Sequence, residues 1–267
     1  MARYGRGVRL VTFNILHGRS LEDGRVDVER FAAAVRRLDP DVLALQEVDR
    51  DHPRSHLTDL TAVAGEAMGA VDSRFVAAMA GDPAESWVPV RRQPEAGTAA
   101  YGVALLSRYP VQTWRSLPLP RIRPPFPWVR RDLGKLELRR EELRAAVVAQ
   151  LRTPEGLLSV ACTHLSFVPG WGQLQLSRIR RALVGVPGPA VIMGDLNLTR
   201  LLPPRVTGYR ALAGPLTFPA DRPRRQIDHV LVRGDVGDVV AADATQLPLS
   251  DHRALVVELD RSRLRRS

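Results

Sequence analysis

The stretch AVIMGDLNLTR, residues 190–200, runs four apolar positions straight into Gly194, Asp195, Leu196 and Asn197. A short apolar run bounded by Pro189 and Gly194 reads as a strand buried on both faces. Asp195 and Asn197 then stand at its carboxyl end, where a loop begins, and an acid and an amide so placed can hold a water and a charged ligand together. A simple turn would use the same residues, because Asp and Asn side chains bond nearby backbone. The rest of the chain has to decide between the two.

Working outward, the same pattern recurs. An apolar run over 8–13 ends on Asn14, and another over 41–46 ends at Glu47, ahead of a charged loop over 48–54. Between them Val28, Phe31, Ala32, Val35 and Leu38 follow helical spacing over 26–38, and Pro40 stops the pattern. Strand, helix, strand is a β-α-β opening. A second helix is expected over 57–68 with Gly69 as its stop, and strands over 74–80 and 101–106. The segment LPLPRIRPPFPW, 117–128, holds five prolines and is expected to be irregular. Two β-rich runs, 145–152 and 156–165, form a hairpin across Thr153-Pro154-Glu155-Gly156, and the second finishes at Thr163-His164. A third helix over 171–184, ended by Gly185, precedes the central strand. Beyond it, Asp228 leads into His229-Val-Leu-Val232, and Asp251 with His252 leads into Ala254–Leu259.

Four runs therefore end in a polar group (Asn14, Glu47, His164, Asp195 with Asn197), while the last two begin with one. If all share one edge, the final two strands run antiparallel to their partners and the sheets are mixed. The chemistry then sits on the loops of that edge.

Composition bounds the class. With 267 residues, 45% apolar and 25% charged, the chain is an ordinary globular protein, and no linker divides it. One domain over 1–267 is expected, ending in a short basic tail over 261–267. The net charge of +10 favours an anionic substrate. Lys135 is the only lysine, so the Arg excess also fits a compositional bias. Cys162 stands alone and reads as a small core residue, which excludes an intrachain disulfide, zinc-finger sets and CxxC pairs. No signal peptide or membrane span is legible, so a cytoplasmic monomer is expected. GxSxG, GxxxxGK[ST] and HExxH are absent, which removes serine hydrolases, P-loop proteins and zincins.

TFNILHG (12–18), LALQEVD (43–49), ALLSRYPV (104–111), THLS (163–166), GDLNLT (194–199), QIDHVLV (226–232) and LSDHRALVVEL (249–259) together resemble, in order, the motifs of the endonuclease/exonuclease/phosphatase superfamily. The resemblance implies a DNase I-like four-layer α/β sandwich, with two mixed β-sheets face to face and helices outside. It also implies divalent-metal-dependent cleavage of phosphoesters by in-line attack of an activated water.

Such hydrolysis needs charge neutralisation, an oriented water and help for the departing oxygen. Mg2+, or Mn2+, as one or two ions, suits oxygen donors and few protein ligands. Glu47 is the first metal ligand, supported by Asn14 and Asp251. By resemblance Asp195 activates the water, Asn197 holds the phosphate, His252 oriented by Asp228 contacts the phosphate, and His164 is the second imidazole. His17, His52, His56 and His229 read as loop or strand polar residues. Arg50, Arg54 and Arg144 are candidate phosphate contacts, weighed against an ion-paired or solvated reading that so Arg-rich a chain favours. A phosphodiesterase or nuclease is expected. A phospholipid or inositol-phosphate hydrolase of the same fold is the alternative, and an inactive basic nucleic-acid- or partner-binding module is the reading from another class. Loops 82–97, 117–131 and 201–225 are where specificity is expected.

Overall fold

The computed structural model describes residues 7–81, 88–90, 94–122, 125–130, 135–139 and 141–260; the expected tail over 261–267 lies outside them. In chain order the elements are β1 (Val8–Asn14), α1 (Val28–Leu38), β2 (Val42–Arg50), α2 (Leu60–Met68), β3 (Asp72–Ala80), β4 (Val88–Pro89), β5 (Ala100–Ser107) and β6 (Val111–Pro118). There follow β7 (Phe126–Arg130), β8 (Lys135–Arg139), β9 (Ala145–Thr153), β10 (Gly156–His164), α3 (Trp171–Ala182), β11 (Ala190–Asp195), α4 (Leu202–Thr207), β12 (Arg210–Ala211), β13 (Asp228–Arg233), β14 (Asp238–Thr245) and β15 (Ala254–Asp260).

Two sheets carry the fold, in the orders β14-β15-β1-β2-β5-β3-β4 and β12-β13-β11-β10-β9-β6, and β7 pairs with β8 in a separate ribbon. Both sheets are mixed. β1 runs parallel to β2 and β10 parallel to β11, while β15 lies antiparallel to β1 and β13 antiparallel to β11. β13 and β15, which begin at the polar groups Asp228 and Asp251 with His252, are thus reversed, as a shared polar edge requires, while the unexpected β14 between them runs antiparallel to β15.

Side-chain alternation builds the layers. Leu10, Ala44, Leu105, Val147, Cys162, Met193 and Val230 meet in the core between the sheets. The neighbouring Val11, Phe13 and Leu43 turn outward to Phe31, Val35 and Leu38 of α1 and to Leu60 and Ala64 of α2. On the far side Ala161 and Ile192 cover Leu176 and Ile179 of α3. Helices, sheet, sheet, helices is the four-layer sandwich.

Several boundaries differ from expectation by a residue or two at element ends, and three differences have a physical cause. α2 begins at Leu60 because the Asp59 side chain accepts bonds from Thr61 N and Ala62 N, while Leu57 lies outside the helix, 64% exposed with φ 57°. β2 does not stop at Glu47 but runs to Arg50 through a bulge. The proline-rich 117–128 is partly regular, since Leu117 and Pro118 close β6 and Phe126–Arg130 is β7. Prolines survive there because β6 is an edge strand and a two-stranded ribbon has only edges.

Cys162 is fully buried, donating to Leu45 O at 3.4 Å and accepting from Gln46 Nε2 at 3.5 Å. Burial pushes its thiol up to about 12, so almost no thiolate forms near neutrality. The folded protein is expected to leave a disulfide-exchange reagent unconsumed at pH 8, and one equivalent to react after denaturation. Fast reaction of the native thiol would contradict this packing.

Candidate active site

The site begins with strand register. Because β10 and β11 are parallel and β13 is antiparallel to β11, His164 is paired with Asp195 and Asp195 with Asp228, which lays three polar residues in one row across the second sheet. In the first sheet Asn14 is paired with Gln46. Glu47 follows at the β2 bulge with φ 57°, and such a bulge re-aims a side chain that strict alternation would send elsewhere. The loop before β15 is tied to the same place: Ser250 Oγ donates to Asn14 O at 2.6 Å and accepts from His252 N at 3.1 Å.

These residues converge on Asp195. Asn14 bridges the sheets, its Nδ2 donating to Glu47 Oε1 and to Asp195 Oδ2, both at 3.1 Å. His164 Nε2 and His252 Nε2 lie 3.4 and 3.7 Å from that same Asp195 oxygen. Asn197, with φ 51°, gives its backbone N–H to Asp195 Oδ1 at 2.9 Å and its Nδ2 to Leu165 O at 3.0 Å. Asp228 Oδ2 takes His252 Nδ1 at 2.9 Å and the Thr217 hydroxyl at 2.5 Å. The Phe218 ring stands 4.9 Å from the His252 ring.

The two imidazoles are set to opposite states. Burial opposes charge on His252, but the Asp228 carboxylate, by charge and by hydrogen bond, lifts it to about 10, with Asp195 and Asp251 adding to the pull. Burial, then the Arg144 cation, then His252 hold His164 well below the usual range. Arg144 NH1 lies 2.9 Å from His164 Nδ1. A guanidinium can only donate, so Nδ1 accepts and the ring proton is on Nε2, facing Asp195. That contact therefore joins a neutral ring to a carboxylate and is no ion pair. Burial pushes Asp195 up to about 7 against the opposing pull of His252.

The Endonuclease/Exonuclease/phosphatase family model matches residues 11–252. The chain belongs to this family. Its members are phosphoester hydrolases. A search of the curated proteins gives no match. Among solved structures the chain is similar to an endonuclease/exonuclease/phosphatase from Beutenbergia cavernae, at 25% identity and TM-score 0.69, covering 95% of this chain and 72% of that one. It is similar in fold to sphingomyelinase C from Streptomyces griseocarneus, at 17% identity and TM-score 0.64, covering 95% and 99%. The mannosyl-6-phosphatase of Bacteroides thetaiotaomicron is a third, at 14% identity and TM-score 0.61, with the same coverage.

In this endonuclease/exonuclease/phosphatase chain, a cavity of about 360 Å³ opens over the cluster, walled by Glu47, His164, Asp195, Asn197 and His252. Asn14 and Asp228 are buried behind that wall at 1% and 0% exposure. Asp251 is near enough to raise Glu47 and His252. Arg144, only 7% exposed, is no solvated side chain, and Arg54 shares the cavity wall with it. Arg50 instead gives NH2 to Pro94 O at 2.9 Å and sits over Phe75. His52 caps a short turn, His56 bonds Val26 O and His229 bonds Leu198 O. His17 reaches the cavity as a neutral ring, held near 4 by burial and by Arg54.

Sequence reading missed Glu142, Tyr101 and Phe218 on the cavity wall, and Thr217 behind Asp228. Only Glu142 carried a signal, as a charge beside Arg144 at the head of a buried strand. Thr217 and Phe218 belong to a loop folded back on Arg225, with both N–H groups bonded to Arg225 O, and no periodicity marks such a return.

Proposed function

We infer that this chain cleaves phosphodiesters with a divalent cation, and that nucleic acid strands are the first substrates to test. The supporting observation is one raised carboxylate, Asp195, set between a neutral and a charged imidazole. Its pKa near neutrality suits a base that takes a proton from water. The water oxygen bonds to phosphorus as that proton passes to Asp195 Oδ2. The bond to the departing oxygen breaks, and that oxygen takes up a proton from solvent. His252, held charged by Asp228, donates from Nε2 to a phosphoryl oxygen, and His164 offers a second, neutral N–H. Asn197, its own amide anchored on Leu165, fixes the Asp195 carboxylate through its backbone N–H.

The cation belongs at Glu47 with Asn14 and Asp251. Asp195, Asp228 and His252 also bring ligand atoms within 4.8 Å of one another. Those atoms are committed to each other, however, and a protonated imidazole has no lone pair to give. Glu47 meets the opposite condition: burial raises its pKa, and Asp251 and Glu142 raise it further. A carboxylate that is buried among carboxylates fits a bound cation. Bound there, Mg2+ would neutralise phosphoryl charge and the developing charge on the departing oxygen.

The net charge of +10 and the arginines of the cavity favour a polyanion. Purified protein with Mg2+ is expected to nick supercoiled plasmid, and EDTA to stop it until Mg2+ or Mn2+ is restored. Intact plasmid beside folded, cation-binding protein would overturn the nucleic-acid reading in favour of phospholipid or sugar phosphates, the substrates named for two fold neighbours.

A further inference from the structure

Arg54 enters the cavity from the first sheet in a manner that surface arginines do not share. Its Nε and NH2 each lie 2.7 Å from an oxygen of Asp49. That carboxylate is 0% exposed, whereas the Arg54 side chain is 36% exposed. The guanidinium carbon also stands 5.5 Å from the Tyr101 ring. A two-point carboxylate bond and an aromatic face together fix the plane of the fork, so little entropy is left to lose on binding. NH1 makes no hydrogen bond with any described residue and Arg54 lines the cavity.

Placement says which part of a substrate would meet NH1. His164, Asp195 and Asn197 rise from the second sheet, while Glu47, Asp49 and Tyr101 belong to β2 and β5 of the first. Asn14 stands between them, touching Glu47 and Asp195 at once. In-line attack by a water held at Asp195 therefore expels the departing oxygen toward the wall that carries Arg54. The cavity, about 360 Å³, is in the size range of sites that hold a whole small molecule, so a group beyond the reacting phosphate fits. The neighbouring His17 is neutral and adds no charge beside Arg54.

We propose that Arg54 is a specificity-determining residue, whose NH1 binds a second anionic group carried on the departing portion of the substrate, so that esters of an already phosphorylated alcohol are preferred. The proposal rests on the phosphodiesterase reading for its direction, and on the geometry of Asp49, Arg54 and Tyr101 for its anchor. A second phosphate of this kind occurs one nucleotide along a nucleic acid strand or on the ring of an inositol phosphate, and the two sources are separable.

The test compares binding first. With Mg2+ present, methylenediphosphonate and orthophosphate are titrated calorimetrically into the wild type, Arg54→Met, and the double variant Asp49→Asn with Arg54→Gln, which replaces the ion pair by an amide pair and leaves no buried carboxylate unpaired. Both variants are expected to weaken methylenediphosphonate at least tenfold more than orthophosphate. Equal weakening of the two ligands would place Arg54 on the reacting phosphate, and no weakening would remove it from the site; either result overturns the proposal.

Turnover supplies the other arm. For the wild type, kcat/KM is expected to rise about tenfold from dTpdT to the same dinucleotide with a terminal phosphate, or from glycerophosphoinositol to its 4-phosphate, and the rising pair identifies the source. That increment should shrink to under threefold in both variants. Absence of turnover on every diester would sink the phosphodiesterase reading while the binding ratio still judged Arg54.

Discussion

Replacing Asp195 with Asn is expected to lower kcat by about 10²–10⁴-fold, the range ascribed to a positioned general base, in a protein that still folds and melts within a few degrees of wild type. Asn is isosteric with Asp but has one acceptor oxygen, so it still accepts from the Asn197 backbone N–H and gives up the bond from Asn14 Nδ2, of the two that hold the group now. What disappears is a charge whose burial is unfavourable enough to raise its pKa to about 7. A neutral amide removes that cost, which offsets the lost Asn14 bond of about 1 kcal/mol, and the native state should stay close to wild-type stability. The pairing of results is the discriminating part. A variant that loses activity together with its fold would speak only to structure, and a folded variant that keeps a tenth or more of kcat would remove Asp195 as the base. If neither protein turns over any phosphoester yet both bind DNA alike, the inactive basic binding module becomes the better account of the chain.

Much of this arrangement is legible in sequence because the signal is local. Leu10 and Val11, Ala44 and Leu45, Cys162 and Thr163 alternate within runs of a few residues, and each run ends in one polar side chain. Where a strand ends is thus readable without knowing its neighbour, and the demand for one common edge orients β13 and β15. The opening β1, α1, β2 follows from period alone, with Asp27 capping α1 through a 2.9 Å bond to Arg30 N.

What escapes the sequence is set by groups far apart in the chain. Glu47 looks like the end of a strand, yet the bulge continues β2 to Arg50 because β5 supplies partners on the other side, from Gly102 opposite Val48 to Ala100 opposite Arg50. Arg144 resembles the solvated arginines around it until β9 and β10 pair and bring His164 to its guanidinium, 20 residues away. Arg54 and Asp49 are five residues apart and visible together, but their meaning depends on Tyr101, which β5 contributes. Composition misled over 117–128 because proline excludes a strand only from the middle of a sheet, and the order of strands is a tertiary fact.

Gly194→Ala is expected to be strongly damaging, costing about 4 kcal/mol or more, which is the range of exceptional substitutions. Gly194 sits on β11 between β10 and β13, paired with Thr163 and His229, and its φ is 151°. A Cβ built there would stand 1.9 Å from Thr163 O and 3.0 Å from Thr163 C. Those atoms are backbone within a central ladder, and no rotamer change relieves them. Separating β10 from β11 is the remaining response, and it would draw His164 away from Asp195, its partner in the next rung. The glycine before Asp195 is thus the condition for close approach of the strands that carry an imidazole and a carboxylate to 3.4 Å. Gly185→Ala supplies the comparison, because Gly185 has φ 76° with nothing within 4 Å of its added Cβ. It should cost only about 1 kcal/mol, the penalty of a left-handed backbone. Thermal unfolding then separates backbone conformation from steric exclusion. Gly194→Ala is expected to fall by roughly 10 °C or more, or to yield no folded protein, with Gly185→Ala a few degrees below wild type. Equal, small shifts in the two would mean that β10 and β11 have room to spare, and that their spacing is not what holds His164 against Asp195.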